Sequence, residues 1–228
     1  MRQALHKRGM ILPDCPQCLK MPALCVCDLI SKLSTQIQVL ILQHPQEPDH
    51  ELGTARMAHL ALPNSQLKIG LSWPNLSKAL GSPAQASEWA VLYLGSGIKG
   101  KPTHTPLQFV SQKGLPIDPP SNLKGIVILD GTWSQAKALW WRNAWLLKLK
   151  RAVLNSPQKS LYRELRKEPR KECLSTIESI AETLVALGEP STVGEELRKL
   201  FAGLLEKKRN KKKGRAPILP IPNKPEQG

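Results

Sequence analysis

Asp130 stands where an apolar run gives way to a helix start, and that placement gives a carboxylate chemical use. Gly125 to Leu129 (GIVIL) has the uninterrupted, β-branched character of a buried strand, and the LDGTWSQA segment then sets Thr132 and Gln135 at capping-box spacing. Ligands in open α/β sheets collect at the carboxyl ends of strands, where helix N-termini offer unpaired N–H groups. Three roles stay open for Asp130: general base, partner of a cationic or hydroxyl group on a ligand, or cap of the following helix. His44 and Glu47 follow a second apolar run, Gln36 to Gln43 (QIQVLILQ), and hold another strand exit, with an ordinary surface loop as the alternative.

The other chemically distinctive group is sulfur. PDCPQCLKMPALCVCD (13–28) carries Cys15, Cys18, Cys25 and Cys27 as C-x2-C-x6-C-x-C, close enough in sequence to reach one tetrahedral ion. A structural zinc site is the reading of choice over free thiols or an iron cluster. Four protein ligands leave no open position, so the metal's task is to hold together a segment too short for its own core. Cys173 reads as a small buried residue.

These groups need a scaffold, and the pattern of apolar residues predicts an alternating one. A helix is expected from Gly53 to Leu62 with Thr54 near its start, a short strand at 66–73, and a firmer one from Glu88 to Leu94. Gly95, Gly97 and Gly100 then remove bulk from a turn that matches neither a dinucleotide fingerprint nor a P-loop. Pro-rich 101–121 predicts a loop with one edge strand near Leu107 to Val110. TWSQAKALWWRNAWLLKLK predicts one long helix from Thr132. Its stripe of Trp133, Ala136, Trp140, Ala144 and Leu147 is widened by Trp141, Trp145 and Leu149, which predicts burial against the sheet ahead of a subunit interface or base stacking. Arg151 to Leu154 reads as a strand, Ser175 and Glu178 as a second capping box, and Gly188 with Pro190 as a stop before a last helix from Thr192 to Lys207.

Charge narrows the partners. A net charge of +15 and a pI near 9.8 favour a polyanion such as nucleic acid over a merely basic soluble protein. Lys159, Arg163, Arg166 and Lys167 lie between a strand end and a helix, a place suited to phosphate. Lys207, Lys208 and Arg209 open a stretch in which seven of nine residues to Arg215 are basic, expected as an extended or induced-helical arm that adds affinity without reading sequence. No apolar run has the length of a signal or membrane segment, so a cytoplasmic protein without membrane contact is expected. Three regions follow: 1–30 with the Cys cluster, 31–206 as the α/β domain that carries Asp130, and 207–228 as a basic, Pro-rich tail.

The Cys cluster, LQHPQE with HELGTARMA, the LYLG turn, LDGTW, and SPQKSLYRELRKEP leading to CLSTIESIAETL together resemble the DTW-domain family of tRNA-uridine aminocarboxypropyltransferases, in that family's order, over about residues 13 to 205. The resemblance implies an α/β fold of SPOUT type, a mostly parallel sheet with helices on both faces and a C-terminal trefoil knot. It implies tRNA as partner and transfer of the 3-amino-3-carboxypropyl group of S-adenosylmethionine to N3 of a uridine, with release of methylthioadenosine. The family's D-x-T-W motif falls on Asp130, Gly131, Thr132 and Trp133. Asp130 would be the catalytic base or a positioning group. The donor would be held by backbone groups of three turns, with Leu94, Gly95, Leu129, Asp130, Thr132, Leu174, Ser175 and Thr176 as contacts. A SPOUT-type RNA methyltransferase and a non-catalytic zinc-containing RNA-binding protein are the competing readings.

Overall fold

The computed structural model describes residues 13–48, 50–92, 105–155, 160–164 and 174–212. Its strands are β1 (Gln38–Gln43), β2 (Ser65–Ile69), β3 (Trp89–Leu92), β4 (Leu107–Val110), β5 (Pro116–Ile117), β6 (Gly125–Asp130) and β7 (Lys150–Leu154). They form one seven-stranded sheet in the order β2-β1-β6-β3-β7-β4-β5. From β2 through β7 the neighbours are parallel, whereas β4 pairs antiparallel with both β7 and β5. The helices are α1 (Ala55–Ala61), α2 (Leu76–Leu80), α3 (Trp133–Arg142), α4 (Thr176–Ala186) and α5 (Ser191–Lys212). The expected mixed α/β architecture, with a mostly parallel sheet, is what this chain adopts.

Strand sequence explains the layering. Successive side chains in a strand point to opposite faces. Val39 and Ile41 of β1, Ile126 and Ile128 of β6, and Ala90 and Leu92 of β3 join one core with α1, α4 and α5. Leu40 and Leu42, Val127, and Trp89 and Val91 join the opposite core, with α2, Trp140, Trp145 and Leu146. Both faces are covered, which is why these strands are apolar throughout instead of alternating. Gly125 is required where it stands, because its register partner Trp89 lies across it and an added Cβ would sit 2.5 Å from the indole.

Several expected boundaries move. The long helix from Thr132 stops at Arg142, followed by a 3-10 turn (Ala144–Lys148) and then β7. The cause is tertiary: buried Asn143 donates to Leu71 O at 3.0 Å and Leu139 O at 2.8 Å, and its Oδ1 accepts from Trp73 N and Trp145 Nε1. Shortening the helix splits the tryptophans, burying Trp145 but leaving Trp141 75% exposed, against the expectation of burial. The strand expected at 66–73 ends at Ile69, and β4 is one strand in from the edge because β5 flanks it. Five-residue α2 shows no usable periodicity; the Asn75 side chain caps its start and Gly81, at φ 76°, closes it.

The last helix runs past Lys207 to Lys212, so the start of the basic stretch is helical and packed. Val193, Leu197, Leu200, Phe201, Leu204 and Leu205 form its buried stripe. Glu189, in the turn between α4 and α5, accepts from Gln36 N and Ile37 N at 2.7 Å and fastens that corner to the start of β1. Among the described residues no helix is long and apolar enough to cross a membrane.

Candidate active site and metal centre

β1, β6, β3 and β7 are parallel neighbours, so their carboxyl ends open on one edge of the sheet. From β1 the chain turns to α1 on one face, whereas from adjacent β6 it turns to α3 on the other. Connections that diverge from neighbouring strands leave a crevice between them, the usual ligand position in such sheets. Asp130 ends β6 at this topological switch point.

Asp130 is only 6% exposed and is gripped from two directions. Its register partner Gln43, last residue of β1, donates from Nε2 to Oδ2 at 2.8 Å. Thr176, first residue of α4, donates its hydroxyl to Oδ1. The geometry follows from parity: Gln43 and Asp130 continue the Val39-Ile41 and Ile126-Ile128 series, whose face carries α4. The strand-exit residue His44 donates its N–H to Asp130 O at 3.0 Å.

The next residues build the turn. A Cβ on Gly131 would lie 2.8 Å from Gln135 Cβ and 3.4 Å from His44 Cβ, so glycine lets the first turn of α3 and the His44 loop approach each other at the strand end. Thr132 and Gln135 make the expected capping box; Gln135 Oε1 accepts from Thr132 N at 2.6 Å, and its Nε2 donates to Gln46 Oε1 at 3.3 Å. Thr132 and Trp133 are exposed, and Leu129 is half-buried against the α3 side of the sheet. Glu47 lies in the turn after His44, its N–H donating to His44 O.

The start of α4 forms the opposite wall. Ser175 is buried and Glu178 completely so, as the second capping box requires. Glu178 Oε2 accepts from Ser175 N, Ser175 Oγ and Ser160 Oγ at 2.7 to 2.9 Å, and Oε1 accepts from Leu161 N at 2.8 Å. Ile177 N donates to Thr54 Oγ1 and Glu178 N to Ser175 Oγ. Much of the helix N-terminus is thus satisfied internally, and Thr176 is the residue there that faces Asp130. Leu174 is half-buried beside it. Tyr162 anchors the 160–164 segment, donating to Leu52 O at 2.7 Å with its ring edge-on to Phe201.

The four cysteines converge as expected. Their sulfurs lie within 4.8 Å of one another, with Cys15 Sγ 3.6 Å from Cys27 Sγ and Cys18 Sγ 3.8 Å from Cys25 Sγ. Zinc–thiolate bonds of about 2.3 Å in a tetrahedron imply sulfur separations of about 3.8 Å, so this donor set fits such an ion. Leu19, at φ 56°, takes the left-handed turn that lets the chain after Cys18 fold back, with Leu19 N on Cys15 O. The Cys18 N–H aimed at the Cys15 sulfur lowers that thiol to about 7, whereas burial pushes Cys25 and Cys27 up, an imbalance among clustered thiols that a cation would relieve.

The basic residues divide. Lys207 Nζ binds Asp28 at 2.7 Å and Cys25 O, Lys208 pairs with Glu51, and Lys211 reaches Glu51 at 3.0 Å. These lysines clamp α5 onto the Cys segment and the loop before α1, while Arg209 is exposed. Lys159, Arg166 and Lys167, with Leu94, Gly95, Gly97, Gly100 and Cys173, lie outside the described residues, as does the side chain of Arg163. Sequence reasoning missed Gln43, whose signal was a polar residue ending an apolar strand, and Thr54, whose hydroxyl serves α4 and not α1.

The fold is thus an α/β sheet with a buried carboxylate at the exit of an inner strand. The DTW domain profile matches residues 12–209, and the chain belongs to the DTW-domain family. It is 26% identical over 190 residues to tRNA-uridine aminocarboxypropyltransferase 2 of Macaca fascicularis, covering 81% of this chain and 60% of the relative. It is 28% identical over 186 residues to the enzyme of that name from Drosophila melanogaster, covering 76% and 66%. It is 29% identical over 240 residues to tRNA-uridine aminocarboxypropyltransferase A of Arabidopsis thaliana, covering 96% and 88%. The chain therefore spans about three fifths of the macaque relative's length. No solved structure matches.

Proposed function

We propose that this protein is a tRNA-uridine aminocarboxypropyltransferase that moves the 3-amino-3-carboxypropyl group of S-adenosylmethionine to N3 of a tRNA uridine. The observation that carries the reading is the buried Asp130 carboxylate, fixed by Gln43 and Thr176 in the crevice between diverging connections. Family membership and the relatives' names support it at the level of reaction class. A strand later in the chain, β6, enters between β1 and β3, an arrangement in keeping with the SPOUT-type knotted fold proposed here.

Bound S-adenosylmethionine supplies a sulfonium whose aminocarboxypropyl methylene is electrophilic. Position decides which of three sulfonium carbons is attacked, so the crevice walls must aim that methylene at uridine N3. Leu129, Thr132, Leu174, Ser175 and Thr176 would form those walls, with Leu94 and Gly95 from the exit after β3. The Thr176 N–H is the group a donor carboxylate would meet, since Ile177 and Glu178 N–H are engaged. Uridine N3 is a poor nucleophile until it loses its proton, and Asp130 would take that proton as the N3–carbon bond forms and the carbon–sulfur bond breaks, leaving methylthioadenosine. Gln43 and Thr176 hold the carboxylate in one orientation throughout. Cys15, Cys18, Cys25 and Cys27 would hold a structural zinc ion away from the reaction. Arg209, with Lys159, Arg163, Arg166 and Lys167, would meet tRNA phosphates, and the cytoplasm is the proposed compartment.

Nucleoside mass spectrometry of tRNA incubated with the protein and S-adenosylmethionine tests the reading. An aminocarboxypropyl increment on uridine is expected; a methyl increment, or none, overturns it. Asp130→Asn should keep the fold and donor binding but lose transfer, and undiminished turnover would remove the base assignment.

A further inference from the structure

We propose that the exposed tryptophan face of α3 is a nucleobase-stacking platform for single-stranded RNA beside the Asp130 crevice. The inference rests on the tRNA-modifying reading and adds the surface that would hold nucleotides flanking the target. Trp141 is 75% exposed and Trp133 38%, the two largest apolar side chains turned outward among the described residues. Residues eight apart on a helix lie about 12 Å apart along its axis and about 80° apart around it. Trp133 and Trp141 therefore share a side, with exposed Lys137 between them. Trp133 begins the helix three residues beyond Asp130, so this row starts at the crevice.

Charge identifies the occupant. From Gly131 to Asn155 the chain has no acidic residue, and Lys137, Arg142, Lys148, Lys150 and Arg151 supply five cations. Lys137, Arg142, Lys148 and Lys150 are exposed. Two copies meeting through the α3 face would bring Lys137 and Arg142 of each together, whereas a phosphate backbone neutralises them. Aromatic faces interleaved with cations match single-stranded nucleic acid, in which each base offers a π-face and each linkage an anion. Trp140, on the sheet-facing side of the same helix, is held by Arg151 of β7, whose guanidinium lies 5.4 Å from its ring centroid in a cation–π contact.

The test titrates the full-length protein into labelled single-stranded oligouridylate and unmodified tRNA, without methyl or aminocarboxypropyl donor, and reads fluorescence anisotropy at several salt concentrations. Trp141→Ala should weaken binding to both by roughly 5- to 150-fold, the range for losing one stacked base, with an unchanged salt slope. Trp141→Phe should restore most of the loss. Lys137→Gln should instead lower the slope of log affinity against log salt by about 0.7. Circular dichroism should be unchanged in all three, because the altered side chains are on the surface. Unchanged oligouridylate affinity in Trp141→Ala overturns the platform. So does a dimer, seen by sedimentation, that Trp141→Ala dissolves while RNA affinity stays the same, since the face would then belong to a second copy. Absence of group transfer with stacking intact would sink the proposed reaction and leave the platform standing.

Discussion

Glu178→Gln exchanges one oxygen for an amide nitrogen at a site with no solvent and four donors. Oε1 serves Leu161 N, and Oε2 serves Ser175 N, Ser175 Oγ and Ser160 Oγ. The hydroxyls can rotate to accept from the new amide; backbone N–H groups cannot. If the glutamine oxygen stays toward Leu161, the NH2 faces Ser175 N, and if the amide flips, it faces Leu161 N. Either orientation leaves one buried backbone donor against another. An orphaned buried donor costs about 1 to 3 kcal/mol, and loss of charge assistance in the remaining bonds adds about 1, so the variant should be about 2 to 4 kcal/mol less stable. Urea denaturation followed by circular dichroism measures this, and hydrogen exchange should show the Leu161 and Ser175 amides losing protection first. A loss below about 0.5 kcal/mol with both amides still protected would refute the reasoning, since it would mean that the carboxylate is not what joins the 160–164 segment to α4.

Gly125→Ala should cost about 1 to 3 kcal/mol, because the new Cβ meets a buried Trp89 ring that has nowhere to go; thermal unfolding measures it. Metal analysis of reduced protein should find one zinc per chain, and chelation or Cys18→Ser should lower the melting temperature; an unchanged melting temperature after complete zinc removal would refute a structural role. Lys208 and Lys211 hold the Glu51 carboxyl below its ordinary value, so the clamp's contribution is present above the ordinary carboxylate range and fades as pH falls through the depressed value. Hydrogen-exchange protection at the end of α5, taken relative to the intrinsic rate at each pH, should therefore fall on acidification in the wild type but stay nearly constant in Glu51→Gln.

What could be read in advance was local. The strand-to-helix step at Asp130, the two capping boxes and the Cys spacing depend on residues within a few positions of one another, and the structure contains each of them. The grip on Asp130 was not legible, because Gln43 reaches it only once β1 and β6 are known to be neighbours in register. The break at Asn143 depends on Leu71 and Trp73 in a distant loop, so periodicity ran the helix through it. A lysine run looks the same whether it is solvated or clamped; Asp28 and Glu51, the partners here, lie more than 150 residues earlier in the chain.

Lys20 is buried two residues beyond Cys18, and its ammonium donates to Glu51 O at 3.0 Å and Gly53 O at 2.9 Å. Next in the chain is Thr54, whose hydroxyl receives the Ile177 N–H, and beside Ile177 stands Thr176, bonded to Asp130. A relay of short polar links thus runs from the sulfur cluster to the carboxylate through backbone that would otherwise be a free loop. A metal ion held by the four cysteines would work as a mooring, fixing one end of the line of links that ends at the Asp130 carboxylate.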